Sequence, residues 1–399
     1  MKVQSLKEVD VRGKRVLVRV DFNVPTDKKG NIIDDTRIRE SLPTLRYLSD
    51  QGARVIAASH LGRPKGKPAD EYRMDKVAEH LSHLLKKPVI KVDDCIGPQV
   101  KAAIEKMKPG DIIVLENVRF HPGEEANDPE FCRQLAELAD IYVNDAFGAA
   151  HRAHASISGV AGLLPAFPGF LLEKEVTMLS KVINGAEEPK VAIVGGAKVA
   201  DKLGLLKNLV KNMDVLIIGG AMANTFLKAQ GYNIGKSVFE ESMVSTAREI
   251  IEYAGECNTK LLLPVDVVVA DRFAEDAEHQ TVSVDQVPEG WMILDIGPET
   301  VKLYQEYIDQ ARTVFWNGPM GVYEFEAFSS GTNGVARAIA SAAATSVVGG
   351  GDSLAVVYNL GLQNKITHIS TGGGATLEFL EGKQLPGLES CDLRQQLVG

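Results

Sequence analysis

The chain has 399 residues, of which 45% are hydrophobic and 24% charged, and its formal charge at neutral pH is −9. This length predicts two domains, because a single hydrophobic core rarely grows beyond about 250–300 residues. The acidic balance excludes a general nucleic-acid-binding protein, which would present a basic surface, so any anion site must be local.

The sequence shows no targeting or membrane-spanning segment. The N-terminal stretch MKVQSLKEVDVRGKRVLVRV lacks the apolar centre of a secretion signal. No uninterrupted apolar run approaches the roughly 18 residues needed to cross a bilayer. The cysteines are scattered, without a CxxC or metal-type spacing, at Cys95, Cys132, Cys257 and Cys391. We therefore expect a cytoplasmic protein with reduced thiols.

Short β-branched runs alternate along the chain with longer segments of helical period, a pattern typical of parallel sheets with crossover helices. The predicted strands of the first half are KRVLVRVDF, ARVIAASH, DIIVLENV and DIYVNDAF. Those of the second half are PKVAIVGG, DVLIIGG, KLLLPVDVVVA, RTVFWNGP, TSVVGGGD and ITHISTGGG. Segments such as RMDKVAEHLSHLLKK, apolar at i, i+3, i+4 and i+7, predict the intervening helices. The predicted fold class is α/β.

A domain boundary is predicted within residues 163–190. Pro165, Pro168 and Gly169 interrupt regular structure there, and FLLEKEVTMLSKVI then predicts one connecting helix.

The residues that follow the predicted strands differ between the two halves. Ligands of open α/β sheets bind beyond the carboxyl ends of the strands, so these positions hold the candidate functional residues. The first half places polar and cationic residues there: Asp21, Asn23, His60, Arg63, Arg119, His121, His151, Arg152 and His154. The second half places glycines there: Gly195, Gly196, Gly219, Gly220, Gly349, Gly350, Gly351, Gly372, Gly373 and Gly374.

This difference predicts two kinds of anion site. Arginine and histidine make charge-assisted hydrogen bonds to a small carboxylate or phosphate, which favours a compact acidic metabolite in the first half. Glycine allows close approach of the backbone and leaves helix N-terminal N–H groups for phosphate oxygens, which favours a nucleotide in the second half. The segment DDTRIRE adds Arg37 to the first half. A surface salt bridge from Arg37 to the nearby Asp35 is its structural alternative.

Two positive charges open the helix predicted after VAIVGGA. On one helix face Lys198 and Lys202 would repel each other, so we expect an anion between them. The motif is neither a Walker A loop nor a GxGxxG fingerprint. In GGGDS, Asp352 is either a helix N-cap or a carboxylate that faces Mg²⁺ on a nucleotide.

Eight motifs, in order from about residue 12 to residue 382, resemble the phosphoglycerate kinase family. They are RVDFNVP, TRIRESLPTL, SHLGRP, LENVRFHPGEE, NDAFGAAHRAHAS, GGAKVADK, WNGPMGVYE and STGGGATLEFLEG. The resemblance implies two Rossmann-like lobes, each a parallel sheet flanked by helices, joined by a hinge helix. It implies an N-terminal lobe over 1–166, an interdomain helix and hinge over 167–186, a C-terminal lobe over 187–380, and a tail over 381–399 that packs on the N-terminal lobe.

The resemblance also implies the activity. Members transfer a phosphoryl group reversibly between ATP and the carboxylate of 3-phosphoglycerate, with Mg²⁺, by closure of the lobes. A monomer is expected, without a nucleic-acid or membrane partner.

Carried over residue by residue, the resemblance implies three sets of site residues. The 3-phosphoglycerate set is Arg19, Asp21, Phe22, Asn23, Arg37, His60, Leu61, Gly62, Arg63, Arg119, His151, Arg152 and His154. The nucleotide set is Gly196, Ala197, Lys198, Lys202, Ala221, Ile293, Asn317, Pro319, Glu324, Gly350, Gly351, Asp352 and Ser353, with Asp352 as the metal ligand. The catalytic set is Arg37, Lys198, Gly373 and Gly374.

The implied mechanism assigns one role to each cation. Arg37 would hold the acceptor carboxylate, Lys198 the γ-phosphoryl group and Lys202 the α-phosphate, because catalysis of such transfers is mostly positioning and electrostatics. A carboxylate with a pKa near ~4 is ionised at neutral pH, so no general base is needed. Ala221 and Ile293 stand where many members have glycine, and they would narrow the base slot. Preference for ATP or GTP is therefore left open.

Two other functions compete with this interpretation. A nicotinamide-dependent oxidoreductase would show GxGxxG and an acid about 20 residues later, and neither occurs in the proper context. A non-enzymatic bilobed anion-binding protein would leave Lys198, Asp352 and the glycine corners of the second half unexplained. Formation of ADP from ATP that depends on the acceptor separates the kinase from the binding protein.

Overall fold

The computed structural model describes residues 5–185 and 187–391. The chain divides into two compact units. The first unit runs up to Thr177 and resumes at Gln384, and the second comprises Met178–Lys383. Residues 392–399 of the predicted tail lie outside the described residues.

The first unit is built on a parallel sheet of six strands. They are β1 (Arg15–Arg19), β2 (Arg54–Ala58), β3 (Ile90–Lys91), β4 (Ile112–Val114), β5 (Ile141–Asn144) and β6 (Ala166–Pro168). Their order in the sheet is β3-β4-β2-β1-β5-β6. The four strands predicted for the first half are confirmed. The sequence missed β3, which has two residues, and β6, which ends in a proline.

Helices cover both faces of this sheet, because successive strand residues point to opposite sides. The helices are α1 (Thr36–Asp50), α2 (Asp75–Leu85), α3 (Pro98–Glu105), α4 (Pro122–Glu125), α5 (Pro129–Ala136) and α6 (Phe170–Asn184). Val16 and Val18 of β1 belong to a core with residues of α1 and α2. Leu17, between them, belongs to the opposite core with residues of α3 and α5.

The helix predicted from FLLEKEVTMLSKVI is confirmed as α6. The division between the two units falls inside this helix, between Thr177 and Met178.

The second unit contains a second parallel sheet of six strands and a small antiparallel sheet. The strands are β7 (Lys190–Val194), β8 (Val215–Ile218), β9 (Lys260–Leu262), β10 (Asp266–Ala270), β11 (His279–Ser283), β12 (Met292–Ile296), β13 (Thr313–Asn317), β14 (Thr345–Gly349) and β15 (His368–Ile369). The parallel sheet has the order β15-β14-β13-β7-β8-β9, and the antiparallel sheet has the order β11-β10-β12. The predicted α/β class, with a parallel sheet in each half, is confirmed.

The antiparallel sheet corrects one sequence prediction. KLLLPVDVVVA was predicted as one strand, but it forms β9 and β10, which belong to different sheets. Pro264 lies between them and cannot donate to a strand ladder, which separates the two. The sequence also missed β11 and β12. Most side chains of β11 are exposed, so it lacks the apolar alternation that marks a half-buried strand.

The second unit has seven helices within its described residues. They are α7 (Leu203–Asn212), α8 (Gly220–Ala229), α9 (Val244–Glu256), α10 (Pro298–Gln310), α11 (Ser330–Ser341), α12 (Gly351–Asn359) and α13 (Gly374–Leu380). Val314 and Trp316 of β13 form one core with Ile308 of α10 and Ile339 of α11. Throughout the part of the chain that the structure describes, no helix is both long enough and apolar enough to cross a bilayer.

The chain after Gln384 packs within the first unit through the short helix α14 (Pro386–Glu389). The Gly387 amide donates to the Ala150 carbonyl at 2.8 Å, and Asn144 Nδ2 donates to the Gly387 carbonyl at 3.2 Å. A Cβ atom on Gly387 would lie 2.8 Å from the Ala150 Cα atom. Only glycine therefore allows this approach of two backbones.

We expect Gly387→Ala to destabilise the first unit by about 1–3 kcal/mol, because the new methyl group overpacks a rigid backbone contact. The matched control is Gly255→Ala in α9, where a Cβ atom would meet nothing within 4 Å. That change should stabilise by about 0.5–1 kcal/mol, since alanine favours a helix. Midpoints of urea unfolding measure both changes. Equal midpoints for the two variants would contradict the packing argument.

Candidate functional site

The cationic residues of the first unit meet at the carboxyl edge of its sheet. The order of strands reverses between β1 and β5, which is the position where open α/β sheets bind ligands. Five of these residues form what we call the cationic cluster, namely Arg19, Arg37, His60, Arg119 and His154. Each lies in or just after a strand or in a loop beyond the strand ends, except Arg37, which is in the first turn of α1.

Arg19 lies at the centre of the cationic cluster and is fully buried. Its Nε donates to Ser156 Oγ at 2.7 Å, and its Nη1 donates to the Val20 carbonyl at 2.5 Å. Its Nη2 lies 3.0 Å from His60 Nδ1. Every nitrogen of the guanidinium group therefore has a protein partner, so Arg19 orients His60 rather than facing outward.

A buried carboxylate, that of Glu124, is linked to Arg19 through the Ser156 hydroxyl. Glu124 is fully buried and accepts hydrogen bonds from the Ser156 amide at 2.9 Å and from Ser156 Oγ at 2.6 Å. Burial raises the pKa of Glu124, whereas the charges of Arg19 and Arg119 and the Ser156 hydrogen bonds oppose that rise. The sequence analysis missed Glu124 and Ser156, although both lie inside the motifs LENVRFHPGEE and NDAFGAAHRAHAS.

Arg37 does not pair with Asp35, and the salt bridge considered from the sequence is wrong. Asp35 instead pairs with Arg39 and His80, each at 2.8 Å. Arg37 Nη1 lies 3.2 Å from Asp21 Oδ2 and donates to the Asn23 carbonyl at 3.1 Å. The structure thus places Arg37 beside two other predicted site residues.

Two buried nitrogen atoms of the cationic cluster have no hydrogen-bond partner. They are Arg119 Nε, which lies 3.5 Å from Glu125 Oε1, and His154 Nδ1. Burial, followed by the charges of Arg119 and Arg19, lowers the pKa of His154 to about 4. Burial, followed by the charge of Arg19, lowers the pKa of His60 well below its ordinary value. Unpaired buried nitrogen atoms beside several arginine charges are a fit for an anion such as a phosphate or a carboxylate.

The remaining predicted residues of the first unit surround the cationic cluster in different ways. Phe22 is buried and its amide donates to Ser59 Oγ, so its side chain is part of the core. The Gly62 amide donates to Asn23 Oδ1 at 2.9 Å, and the Gly62 carbonyl accepts from Arg119 Nη1 at 3.0 Å. The Leu61 carbonyl accepts from Asn117. The side chains of Arg63 and Arg152 are exposed, and those of His151 and His154 are half-buried.

In the second unit, Asn317 links the ends of three neighbouring strands. The order of strands reverses between β13 and β7, so this is again the expected ligand edge. Asn317 Oδ1 accepts from Lys202 Nζ at 2.6 Å, and Asn317 Nδ2 donates to the Gly349 carbonyl at 2.9 Å. Lys202 Nζ also donates to the Gly195 carbonyl at 2.7 Å. Burial lowers the pKa of Lys202 to about 8.

The predicted helix that carries both lysines is wrong. Lys198 lies in an exposed loop, Lys202 ends a 3₁₀ turn over Ala200–Lys202, and α7 begins only at Leu203. The two ammonium groups are therefore not neighbours on one helix face. Lys198 is free to approach a ligand from outside, whereas Lys202 is fixed between strand ends.

The glycines after β7 and β8 allow close packing against the loop after β13. The Gly195 and Gly196 amides donate to the carbonyls of Asn317 and Pro319, and the Gly220 amide donates to Met320. A Cβ atom on Gly195 would lie 2.1 Å from the Pro319 oxygen. The expectation that these amides are left for phosphate oxygens is wrong, because the loop after β13 already binds them.

Free N–H groups lie instead at the starts of α12 and α13, where the first turn has no intrahelical acceptor. Gly350 precedes α12 with φ +95°, and Gly373 precedes α13 with φ +54°, a conformation that favours glycine. Gly351, Gly373 and Gly374 are exposed there. Ser353 Oγ is buried and accepts from the Gly318 amide at 2.7 Å.

Asp352 lies in the first turn of α12 and is not its N-cap, which is Gly350. Its carboxylate is exposed, and Oδ1 accepts from the Tyr323 hydroxyl at 3.2 Å. Burial and the charge of Asp352 raise the pKa of Tyr323 to about 12. An exposed carboxylate beside helix N–H groups fits a magnesium ion that keeps waters and phosphate oxygens as its other ligands.

A cavity of about 560 Å³ opens beside this corner. Its lining includes seven residues of the predicted nucleotide set: Gly196, Ala197, Ala221, Ile293, Pro319, Glu324 and Asp352. Its other walls are mostly apolar, from Val238, Pro264, Val267, Phe273, Leu294, Met320, Val322 and Phe325. An apolar slot that ends at a carboxylate and helix N-termini fits a nucleotide, with the base inside and the phosphates at the corner.

The sequence analysis missed most of the apolar walls of this cavity. Most of them come from the antiparallel sheet and from the loop after β13, where the sequence analysis had named only Ile293, Pro319 and Glu324. The structure itself marks this surface: Phe273 is 61% exposed, and its ring centroid lies 5.3 Å from that of Phe325. A large exposed apolar side chain is a sign of a binding surface.

Comparisons with known proteins extend over nearly the whole chain. The sequence model of the family described as Phosphoglycerate kinase matches residues 6–383. A relative from Moorella thermoacetica, named Phosphoglycerate kinase, is 60% identical over 384 residues, which cover 96% of this chain and 98% of that protein. A relative of the same name from Pelotomaculum thermopropionicum is 56% identical over 390 residues, with 98% and 99% covered.

Solved structures give the same result for the fold. The phosphoglycerate kinase from Coxiella burnetii superposes with a TM-score of 0.91 at 45% identity, covering 98% of this chain and 100% of that chain. The enzyme of the same name from Pyrococcus horikoshii superposes with a TM-score of 0.82 at 35% identity, covering 98% and 99%.

We expect Lys202 to titrate near a pKa of about 8 in the ligand-free protein. The carboxylate of Asp352 raises this pKa against the effect of burial, so Asp352→Asn should lower it further. Asp201→Asn, the matched control, should lower it less, because Asp201 has the smaller effect. Carbon-13 NMR of labelled lysine side chains measures the change. Titration of Lys202 at the ordinary lysine value would contradict its burial.

Proposed function

The chain belongs to the phosphoglycerate kinase family, and from that premise we propose how its residues divide the work of the reaction. The enzyme transfers a phosphoryl group between ATP and the carboxylate of 3-phosphoglycerate, with Mg²⁺. We assign 3-phosphoglycerate to the cationic cluster of the first unit and the nucleotide to the apolar cavity of the second.

One observation carries the assignment of the acidic substrate. The cationic cluster gathers three arginines and two histidines at one sheet edge, and their mutual repulsion helps to lower the pKa of His154 to about 4. Such a cluster is stabilised when an anion binds, because the anion offsets the repulsion among the arginine charges.

The fully buried residues of the predicted substrate set position neighbouring residues and do not contact the substrate themselves. Arg19 and Phe22 have no exposed surface, so we assign them to positioning. The residues that reach the ligand are then Arg37, His60, Arg119 and His154, with the exposed Arg63 and Arg152. Asp21 and Asn23 hold Arg37 in place.

On the nucleotide side, rigid and free cations have separate roles. Lys202 is fixed by Gly195 and Asn317 and suits a static phosphate such as the α-phosphate. The exposed Lys198 suits the transferring γ-phosphoryl group. The N–H groups at the starts of α12 and α13, with Gly351, Gly373 and Gly374, suit the remaining oxygens.

Asp352 is the residue that would hold Mg²⁺. When bound, the ion neutralises phosphate charge and orients the donor. The carboxylate of Asp352 also keeps the Tyr323 hydroxyl oriented at 3.2 Å.

The acceptor needs no proton removed. Its carboxylate is ionised at neutral pH, because a carboxyl pKa lies near ~4. The proposed chemistry therefore depends on charge and position, and Arg37 supplies the positive charge nearest to the acceptor. We further propose a cytoplasmic monomer, as the glycolytic role of the family suggests.

A coupled assay tests the function and the residue roles together. The parent chain should form ADP from ATP only with 3-phosphoglycerate and Mg²⁺ present. Arg37→Ala and Lys198→Ala should each lower kcat on the order of 10²–10⁴-fold, because each removes charge that stabilises the transition state. Lys202→Ala should mainly raise KM for ATP. GTP in place of ATP tests how Ala221 and Ile293 affect base preference.

Lys228→Ala is a suitable control, since this lysine lies at the far end of α8 from the cavity. It should leave kcat and both KM values unchanged. Mild and equal losses for the three site variants would refute the separate roles. ADP formation without 3-phosphoglycerate would refute the function.

Removal of the Glu124 charge behind Arg19 should weaken the binding of 3-phosphoglycerate and leave the binding of ATP unchanged. In Glu124→Gln the buried guanidinium loses its counter-charge, so we expect KM for 3-phosphoglycerate to rise on the order of tenfold while KM for ATP stays constant. Ser156→Ala should act in the same direction. Glu130→Gln, an exposed neighbour on α5 paired with Arg133, is the control. An equal rise in both KM values would indicate general loss of structure instead.

A further inference from the structure

Three potential metal ligands meet in the first unit, away from the cationic cluster. They are Asp94, Cys95 and His121, and their ligand atoms all lie within 4.8 Å of one another. His121 follows a strand end in the sequence, yet neither proposed substrate site uses it. The scattered cysteine spacing gave no sign of this group, because His121 is 26 positions after Cys95 in the numbering.

The fold fixes each of the three side chains. Asp94 and Cys95 lie in the loop after β3, and His121 lies after β4 at the N-cap of α4. The His121 ring stacks on Phe131 of α5 with centroids 5.3 Å apart, and its Nε2 lies 2.7 Å from Asp94 Oδ1. Cys95 is fully buried, whereas Asp94 and His121 are partly open to solvent. Cys95 is thus the buried member of the group, and Asp94 and His121 are the members that solvent reaches.

The surroundings of the thiol are negative. The Cys95 amide donates to Asp94 Oδ1 at 2.7 Å, and the carboxylates of Asp94, Glu124 and Glu116 act electrostatically on the thiol. The same carboxylates that disfavour an isolated thiolate attract a dication, and a bound dication would offset their charge.

We propose that Asp94, Cys95 and His121 bind one divalent metal ion of the zinc class, with a solvent molecule as the fourth ligand. Zinc accepts this mixture of carboxylate oxygen, thiolate sulfur and imidazole nitrogen. Its bonds of about 2.0–2.3 Å place ligand atoms roughly 3–4 Å apart, so small side-chain shifts complete the site. On binding, the Cys95 thiol gives its proton to water and its sulfur forms the bond to the metal.

This ion differs from the magnesium of the reaction. Mg²⁺ prefers oxygen ligands and does not take a thiolate, so the donor set itself selects a softer metal. The simpler alternative is an ion pair of His121 with Asp94 beside an inert buried thiol. The two alternatives differ in one measurable respect, a sulfur–metal bond.

Cobalt titration of the full, reduced and metal-free protein tests that bond. Co²⁺ substitutes for zinc and gives a near-ultraviolet charge-transfer band only when a thiolate is a ligand. We expect this band in the parent chain, its loss in Cys95→Ser, and its displacement by added Zn²⁺. In His121→Gln, a partly exposed change that the fold should tolerate, the affinity for Co²⁺ should fall on the order of tenfold or more.

Cys132→Ser is the matched control, because Cys132 is a second buried thiol of the same core. It should keep the full band. The midpoint of thermal unfolding should also rise with Zn²⁺ in the parent and in Cys132→Ser, but rise less in Cys95→Ser. Absence of a charge-transfer band in the parent, or a band that survives Cys95→Ser, would overturn the proposal. Loss of the band in Cys132→Ser would overturn the assignment of Cys95.

Discussion

The hydrogen bonds of the buried Arg19 guanidinium are the interaction on which the cationic cluster depends. Arg19 donates to Ser156 and Val20 and lies against His60, and Glu124 supplies the buried negative charge behind Ser156. Leaving a buried polar group without its hydrogen-bond partner costs about 1–3 kcal/mol, so these contacts fix the guanidinium group in place. The charges of Arg37 and Arg119 act on His60 beside this guanidinium group. An anionic ligand would offset those charges.

The second unit also has a fixed group of polar residues at its strand ends, but different contacts hold it in place. Here the strand ends are drawn together by Asn317 and Lys202, and glycines let the backbones of neighbouring loops touch. The resulting corner is stiff and presents few mobile groups. Lys198, Asp352 and the helix N-termini differ from this corner, because they are exposed and can contact a ligand. In the proposed assignment, the fixed Lys202 binds a phosphate that stays in place, and the exposed Lys198 binds the phosphoryl group that is transferred.

Local pattern explains which parts of this structure could be predicted. Strand and helix periods in the sequence identified most elements of the two parallel sheets, since these elements are buried on at least one face. The antiparallel sheet was not predicted, because most side chains of β11 are exposed and β12 follows a turn-rich stretch. The helix predicted at Lys198 does not begin there, because contacts between distant residues override the local pattern. The segment before Lys198 forms a loop, in which the Gly196 amide donates to the Pro319 carbonyl.

The sequence by itself determined the chemistry available at the strand ends: cations in one half, glycines and an acid in the other, and the motifs of a kinase family. These follow from residue type and short-range spacing, which a linear chain displays directly. Only the tertiary structure decided that Arg19 faces inward, that Arg37 pairs with Asp21, that the glycine amides after β7 are already bound, and that Cys95 meets His121. Burial and hydrogen-bond partnership arise between segments far apart in the chain, so they exist only once the sheets have formed.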